Sequence, residues 1–587
     1  MKKLILTAAL ALSASWQVYA MEADLIVTNA QITTLNEEKP SAEAVAVANG
    51  EFIYVGSNEG ALKFKNDNTR MIDANERRMI PGLNDSHMHP TRGARFYNLE
   101  LRWDHLTSLK EGLEMIKEQA KRTPKGQWVR VIGGWSPFQF DEKRMPTPEE
   151  LTEAAPNTPV FVLHLYSSGV LNKAGMEVLG IDKDTKVPWG SRYVRDETGE
   201  PTGMLIADPN PMILYKTIAA LPHMSQEEQM NSAQHFYQQL VRYGLTSVVD
   251  AGGGGHDFPD DYSATDKLAG EGKLPLRVSY YLFPQRPGHE HEDFKIWINN
   301  NTPTQNGHFS LQNGYTLEGG GEFLVWAAGD YENFRSERPD LKHSAEEDLQ
   351  QVVETLVKNK WPIRIHATYD ESIDRILSVF EEVDKTYPLK DIRWAFDHAE
   401  TISMKNIKRI KKLGGGIAIQ NRMAYAGEDF VERYGASKAK NSPPIRDIMN
   451  AEVPLGAGTD GTRVSSFNPW HSIYWLVSGK TIGGMEIAAG KNQLSREEAL
   501  KLFTVGSAWF SGEEHLKGYI KEEQYADFVL LSDDYMEFGE EEIKSLRSVL
   551  TVVGGEVKFG DAEFVEYEQK LPSVIPSWSP VAHFEFK

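Results

Sequence analysis

Cysteine is absent from the 587 residues of this chain. Without thiols the protein has no disulfide framework, no cysteine nucleophile and no thiolate metal site. Any metal ion must therefore be bound by histidine, aspartate or glutamate. Positive charge is also scarce, since 63 lysines and arginines face 84 aspartates and glutamates, for a net charge of −21. This excess of negative charge argues against nucleic acid or an anionic membrane surface as a partner.

Long hydrophobic runs are missing beyond the N-terminus. The stretch MKKLILTAALALSASWQVYA starts with Lys2 and Lys3, continues with an apolar run over 4–12 and ends in small residues up to Ala20. The run is too short for a bilayer, which needs about 20 residues, and the pattern is typical of a secretory signal. A buried helix or a retained anchor is the alternative. We expect a cleaved bacterial Sec-type signal peptide over 1–20 and a periplasmic or secreted protein with no membrane contact after cleavage.

Strand-like patterns occupy both ends of the remaining chain. Segments such as ADLIVTNAQITTLN, ADFVLLSDD and SVLTVVGGEVKFG alternate apolar and polar residues between Asn and Gly turns. The middle alternates short apolar runs with amphipathic helical segments, which is typical of parallel β/α units. We therefore predict an α/β fold, with a TIM-like (β/α)8 barrel over 81–510, including insertions. A small β-sandwich domain is predicted from both chain ends, 21–80 plus 511–570.

Ten apolar runs compete for the eight strands of the barrel. They lie at 79–85, 128–134, 159–165, 245–252, 276–283, 323–329, 362–368, 393–399, 416–420 and 454–460. Two of the ten are expected to belong to insertions, and the sequence does not say which two. The stretch 171–235 lacks this alternation and is interpreted as an excursion near the mouth of the active site.

The motif DSHMH follows the first apolar run and carries the strongest chemical signal. In a strand, residues i and i+2 point to the same side, so His87 and His89 can bind one metal ion together. His366, His398 and Asp460 each end a further candidate strand, on the face where barrel enzymes build their sites. Each of them alone could be a hydrogen-bonded histidine or an N-capping aspartate. Their recurrence in the expected order favours one shared metal site.

The chemistry of such a site explains the choice of residue types. Neutral imidazoles bind a Zn²⁺-class ion without neutralising it, so the ion stays a strong Lewis acid. Water bound to it has a pKa of about 7 and supplies hydroxide near neutral pH. Asp460 is then placed to take a proton and later deliver it to a leaving amine. We expect one or two divalent ions per chain, with Zn²⁺ as the expected metal.

The segment PGLNDSHMHP, the histidines after the fifth and sixth barrel strands and GTDG after the last resemble the amidohydrolase superfamily. More narrowly, the chain resembles the amidohydrolase-3 group, which includes N-substituted formamide deformylase and the YtcJ-like proteins. GGWSPFQFD, GLTSVVDAGGG and ADFVLLSDDY extend the resemblance from Ala23 to Lys558. The resemblance implies a metal-dependent barrel, a composite β-sandwich, and hydrolysis of a carbon–nitrogen bond by metal-activated hydroxide with Asp460 as general base and acid.

The chain departs from this group at the bridging ligand. Many members bridge two metal ions with a carboxylated lysine on a mid-barrel strand, whereas the corresponding EGGGEFLVWAAGD contains no lysine. Glu322 is the best substitute, because a carboxylate can bridge two cations, and Glu318 is a weaker competitor. Alternatively, Glu322 is a solvated turn residue and the site holds one ion. The segments HATYDES and HLYSSGVLN also differ from the usual sequence of the group, near the expected pocket. The substrate of a relative can therefore not be assigned to this chain.

Further residues at strand ends are candidates for substrate binding. They are Trp135, His164, Tyr166, Gln420, Arg422 and Arg463. Aromatic side chains with a polar tip suit a pocket wall, and arginine suits a substrate carboxylate. The alternative for each is core packing or a structural ion pair.

The leading hypothesis is an exported metal-dependent amidohydrolase that cleaves a non-peptide amide, N-acyl or N-formyl bond of a small-molecule substrate. One alternative is an ester or lactone hydrolase that uses the same site. Another is a non-catalytic periplasmic protein that binds a metal or ligand, although a pure binding site has no need of Asp460 as a base. A homodimer is compatible with the sequence.

Overall fold

The computed structural model describes residues 22–303, 314–488 and 490–584. The signal peptide predicted over 1–20 lies outside the described residues and stays a prediction. Within the described ranges, every helix is too short or too polar to cross a bilayer.

Eight parallel strands form the central sheet, and their order along the sheet follows their order in the chain. They are Leu83–Met88, Leu245–Asp250, Arg277–Leu282, Tyr315–Gly320, Ile363–Ala367, Trp394–His398, Gly416–Gln420 and Leu455–Gly458. The ends of the sheet meet where the amide of Asp460 donates to the carbonyl oxygen of His87 at 2.8 Å. The strands are almost wholly buried, as expected for a parallel sheet covered on both faces. The nearly closed (β/α)8 barrel confirms the predicted fold class.

Helices surround the barrel because each presents one apolar face. In the helix Ala345–Lys358, for example, Leu349, Val352, Val353 and Leu356 are buried at intervals of three and four residues. Among the described residues of 81–510, the helices are Pro90–Phe96, Leu109–Arg122, Pro148–Ala154, Lys173–Leu179, Met212–Ala219, Gln226–Arg242, Ser263–Gly270, Glu290–Asn300, Ala345–Lys358, Asp370–Asp384, Met404–Leu413, Arg422–Tyr434, Ala436–Ala439, Ile445–Asn450, Pro469–Ser478, Arg496–Leu502 and Val505–Ala508.

Two antiparallel-rich sheets from the chain ends pack against each other. One contains Leu25–Thr28, Ala44–Ala48, Glu51–Gly56 and Arg70–Asp73, with the short helix Asn58–Ala61 beside it. The other contains Gln31–Thr33, Ser41–Ala42, Arg78–Pro81, Phe528–Leu531, Ser548–Val553 and Glu556–Gly560. Phe52 of the first sheet and Phe528 of the second share one apolar core, with ring centroids 6.0 Å apart. The chain boundaries predicted for this sandwich domain stay a prediction.

The two surplus runs belong to an insertion. Val129–Ile132 and Val160–His164 pair in parallel and join a separate five-stranded sheet. Its other strands are Ser168–Leu171, Ser191–Arg195 and Pro201–Ala207. The candidate at 79–85 also spans two elements, since Arg78–Pro81 lies in the sandwich and the first barrel strand starts at Leu83.

The prediction of a barrel strand at 323–329 is wrong. The fourth strand is Tyr315–Gly320, whereas Trp326–Ala328 forms a single 3-10 turn. Periodicity does not distinguish a buried strand from a buried loop, and the run FLVWAAG packs apolar side chains within the loop that follows the strand. The real strand was missed because its glycines resemble a turn. They serve close packing instead, since a Cβ at Gly319 would lie 2.1 Å from the carbonyl oxygen of Pro362.

Candidate metal centre

The carboxyl ends of four barrel strands bring the predicted metal ligands together. His87 lies at the end of the first strand, with His89 directly after it, while His366 and His398 lie on the fifth and sixth strands. Asp460 follows the eighth strand by two residues. All of these side chains are buried. Because parallel strands present their carboxyl ends at one face of the barrel, residues far apart in sequence share one site.

Glu322 follows the fourth strand and connects two groups of histidines. Candidate ligand atoms of His87, His89 and Glu322 lie within 4.8 Å of one another, and so do those of Glu322, His366 and His398. Oε1 of Glu322 lies 3.7 Å from Nε2 of His89. Its Oε2 lies 3.1 Å from Nδ1 of His366 and 3.3 Å from Nε2 of His398. One carboxylate therefore faces both groups.

The outer nitrogen of three histidine rings is fixed by an oxygen acceptor. Nδ1 of His87 lies 3.0 Å from Oδ1 of Asp397, and Nδ1 of His89 contacts the carbonyl oxygen of Gly252. Nε2 of His366 lies 2.9 Å from the carbonyl oxygen of Asp330. Such contacts set the tautomer and turn the lone pair of the other nitrogen inward, as in metal-binding histidines.

The inner nitrogens fit a divalent cation. Nε2 of His87, which lies 3.7 Å from Oε2 of Glu322 and 3.6 Å from Oδ1 of Asp460, is buried without a hydrogen-bond partner in the described part of the chain. The same holds for Nδ1 of His398, which lies on the side of Asp460, 3.9 Å from its Oδ2. Buried polar atoms are rarely left unpaired, so these two indicate a missing ligand. Imidazole nitrogens combined with carboxylate oxygens are donors that Zn²⁺ and similar ions accept.

Electrostatics also favour a cation here. Burial lowers the pKa of His87, but the neighbouring carboxylates of Asp397 and Glu322 raise it to about 10. Burial alone would raise the pKa of Glu322, whereas His87 and His366 hold it well below its usual range. The pKa of His398 falls to about 4, because burial and the nearby Arg422 disfavour the imidazolium. The carboxylates thus attract positive charge, while His398 stays neutral as a ligand must.

Asp460 is held between the histidines and an arginine. Its Oδ1 lies 3.1 Å from Nε2 of His89, and its Oδ2 accepts a hydrogen bond of 2.9 Å from Arg422. Burial opposes its ionisation, but the neighbouring imidazoles of His87 and His89 keep its pKa well below the usual range. Arg422 also lies 3.0 Å from Glu332, which bonds His366 in turn. Asp460 is therefore an oriented carboxylate at the edge of the centre.

A pocket opens onto these groups. Its wall combines the centre with aromatic and apolar residues and two arginines. It is lined by His89, Arg92, Tyr166, Pro211, Met212, Tyr215, Gly253, Gly254, Phe283, Glu322, Phe323, Trp326, Tyr331, Glu332, His366, His398, Arg422 and Asp460. Such a mixture of apolar wall and convergent polar groups is typical of a small-molecule site.

The sequence model of the amidohydrolase family matches residues 70–559, which include the whole barrel and the site. The chain belongs to the amidohydrolase family. As a member it is a metal-dependent hydrolase that acts on carbon–nitrogen bonds. The resemblance noted in the sequence is thereby confirmed.

Individual relatives cover nearly the full chain. The N-substituted formamide deformylase of Arthrobacter pascens is 23% identical, over 91% of this chain and 98% of its own. The YtcJ protein of Bacillus subtilis (strain 168) is 26% identical, over 90% and 98%. Among solved structures, a metal-dependent hydrolase from Pyrococcus horikoshii superimposes with a TM-score of 0.62 at 20% identity, over 88% of this chain and 99% of that one. This last likeness supports the fold.

The pocket of this amidohydrolase includes two of the residues predicted to bind substrate, Tyr166 and Arg422. Trp135 instead donates to the carbonyl oxygen of Leu163 at 3.0 Å within the insertion, and His164 packs against its ring. The predicted substrate-binding residues Gln420 and Arg463 do not line the pocket either, and neither does Glu318. Gln420 donates to the carbonyl oxygen of Ala418 at 2.8 Å.

The remaining two are not among the residues that line the pocket. The guanidinium of Arg463 lies over Tyr215, 5.9 Å from its ring centroid. Glu318, the weaker candidate for the bridge, accepts a hydrogen bond of 3.1 Å from Thr316. Sequence position at a strand end therefore does not by itself place a side chain in the pocket. The substrate-binding roles stay predictions.

Sequence reasoning missed three polar residues of the site. Asp397 directly precedes His398, so its side chain points to the opposite face of the strand. There its carboxylate contacts and orients His87. Glu332 lies in the irregular loop after the fourth strand, where no periodicity marks it. Arg92 follows the second histidine of the motif by three residues and lies in the first turn of a helix. This closeness to the motif is the sequence feature that could have indicated its place in the site.

Proposed function

We propose that this amidohydrolase is an exported enzyme that hydrolyses the carbon–nitrogen bond of an N-acyl or N-formyl compound with two divalent cations, both Zn²⁺. The position of Glu322 between the two histidine groups carries the proposal of two ions. The donor set of imidazole and carboxylate supports Zn²⁺. The formamide deformylase among its relatives supports the type of bond. Export rests on the signal pattern over 1–20.

The first ion would be held by His87, His89 and Glu322, and the second by Glu322, His366 and His398. Cations there polarise a carbonyl oxygen and lower the pKa of water. Asp460 accepts a proton from the attacking water, whose oxygen joins the acyl carbon. As the carbon–nitrogen bond breaks, Asp460 returns this proton to the departing nitrogen, so that an acid and an amine are released.

Arg422 is a positioning residue in this scheme. Its hydrogen bond to Oδ2 of Asp460 leaves Oδ1 on the side of the histidines. A fixed carboxylate transfers protons better than a mobile one, because the reacting geometry is already formed. An amine is a poor leaving group without a proton, which favours the amide over the ester as the bond that needs Asp460.

The test is hydrolysis by zinc-loaded protein of N-formyl and N-acyl amines beside esters and lactones of matching shape. We expect amine release from the amides, and its loss in Asp460→Asn with zinc still bound. Preference for the esters or lactones, or full activity of Asp460→Asn, would contradict the proposal. Export is tested separately by fractionating bacteria that express the full chain, with mature protein expected to start at Met21.

A further inference from the structure

Arg92 is a buried arginine in the pocket wall that bonds no carboxylate, although the neighbouring tyrosines and the carboxylates of Asp460 and Asp250 raise its pKa against the effect of burial. It is 4% exposed and lies in the helix Pro90–Phe96 that follows the first barrel strand. Its Nη1 lies 3.2 Å from the hydroxyl oxygen of Tyr166. Its Nε and Nη2 are buried without a hydrogen-bond partner among the described residues. None of its three nitrogens therefore bonds a carboxylate.

The other arginine of the wall is different. Arg422 lies 2.9 Å from Asp460 and 3.0 Å from Glu332, so its charge is already paired. Arg463 adds a second positive charge behind Arg92, and its pKa is lowered by burial and by the charge of Arg92. The buried N–H groups of Arg92 that bond nothing would gain most from an anion that accepts hydrogen bonds from them.

Arg92 also lies close to the reacting centre. A Cβ atom placed at Gly253 would be 3.6 Å from Nη1 of Arg92 and 3.2 Å from Nδ1 of His89. Both side chains thus border the same point of the pocket. Arg92, His89 and Asp460 line one pocket, so a substrate group bound by Arg92 shares that pocket with the metal centre.

We propose that Arg92 binds a carboxylate of the substrate, and that the substrate is an N-acylated or N-formylated amino acid or a related acid. The inference rests on the proposed function: the amide bond to be cleaved and the carboxylate bound by Arg92 belong to the same substrate molecule. Because the protein has a net charge of −21, two neighbouring buried arginines such as Arg92 and Arg463 are unusual in it. Phe323 and Trp326 of the same pocket supply an apolar surface for the remaining part of the substrate.

Kinetics on a matched pair of compounds tests the inference. N-formylphenylalanine and N-formylphenethylamine differ only in the carboxylate. We expect zinc-loaded protein to prefer the acid by about tenfold or more in kcat/KM, since charge-assisted hydrogen bonds to arginine are strong. Arg92→Met should remove this preference, mainly by raising KM for the acid, so that kcat/KM falls much more for the acid than for the neutral compound.

Arg95→Met is the matched control. It removes the same charge from the same helix, but Arg95 is already paired with Asp261 at 2.6 Å. This variant should keep the preference for the acid. Equal loss in both variants would show a general effect of charge or folding and would overturn the inference.

Direct binding separates the inference from the proposed function. Calorimetry with 3-phenylpropanoate and 3-phenylpropanamide, before and after removal of zinc, should show about tenfold tighter binding of the acid, which Arg92→Met abolishes in both states. Hydrolysis of formamides without a preference for acids would overturn the role of Arg92 and leave the proposed function intact. Binding that depends on Arg92, without hydrolysis of any N-formyl or N-acyl compound, would support Arg92 and overturn the proposed function.

Discussion

The two ends of the barrel both bury charged side chains, but they arrange them differently. At the amino end, Lys517 contacts Glu513 and donates to Ser247 at 2.8 Å, while Arg277 pairs with Asp527, just before a sandwich strand. There, each cation meets an anion. At the carboxyl end, histidine nitrogens and carboxylate oxygens converge on common points.

The difference separates stability from function. A buried ion pair with satisfied hydrogen bonds holds the barrel to the sandwich, and breaking it leaves an isolated charge. The metal centre instead has His87 Nε2 and His398 Nδ1 without a partner in the described chain. Unpaired atoms there are tolerable only if a ligand completes them. Substitutions at the two ends should therefore affect different measurements.

The largest effect is expected for Asp460→Asn. Loss of the proton acceptor should lower kcat by about 10³-fold, since general acid–base catalysis contributes that order of rate. The measurement is amine release, with the zinc content determined on the same sample. Asp527→Asn at the other end should retain the activity of its folded fraction, and equal losses in both variants would erase the contrast.

A smaller effect on rate is expected for Glu322→Gln, which weakens the bridge. Zinc content should fall from two ions to about one per chain, and activity by roughly 10- to 100-fold, as for other altered metal ligands and their supports. Elemental analysis after dialysis measures this. Glu318→Gln, four residues earlier, is the matched control and should retain both ions. Two ions in Glu322→Gln would show that Glu322 is not the bridge.

At the amino end, Arg277→Met should reduce stability instead. Asp527 would remain buried without its partner, at a cost of about 3 kcal/mol in the free energy of unfolding. Denaturant unfolding measures this change, and kcat/KM of the folded protein should stay as in the parent. A loss of zinc in this variant would contradict the separation of the two ends.

The smallest effect concerns Glu318 and pH. Burial and the nearby Glu513 raise the pKa of Glu318 from 4.5 to about 8. The folded protein therefore binds this proton more tightly than the unfolded chain, so its contribution to stability is present at low pH and is lost as pH rises from 4.5 through 8. The slope is at most about 1.4 kcal/mol per pH unit.

Glu318→Gln removes this titration. Unfolding curves at pH 6 and pH 8 should show a smaller difference for the variant than for the parent. The same pH dependence in both proteins would show that Glu318 is not the titrating group.

The sequence predicted the metal centre better than the pocket. His87, His366 and His398 were recognisable because strand ends in a parallel barrel share one face. Arg92 and Glu332 follow no such rule, since loops and first helical turns place side chains through tertiary packing. The apolar run at 323–329 likewise has the pattern of a strand but packs as a loop, because tertiary contacts and not periodicity decide its conformation.

Anomalous diffraction at the zinc absorption edge, from crystals grown with zinc, would locate the metal ions of the centre. We expect two peaks per chain, one among His87, His89 and Glu322 and the other among Glu322, His366 and His398. A single peak, or peaks away from Glu322, would contradict a centre in which this carboxylate joins two metal ions.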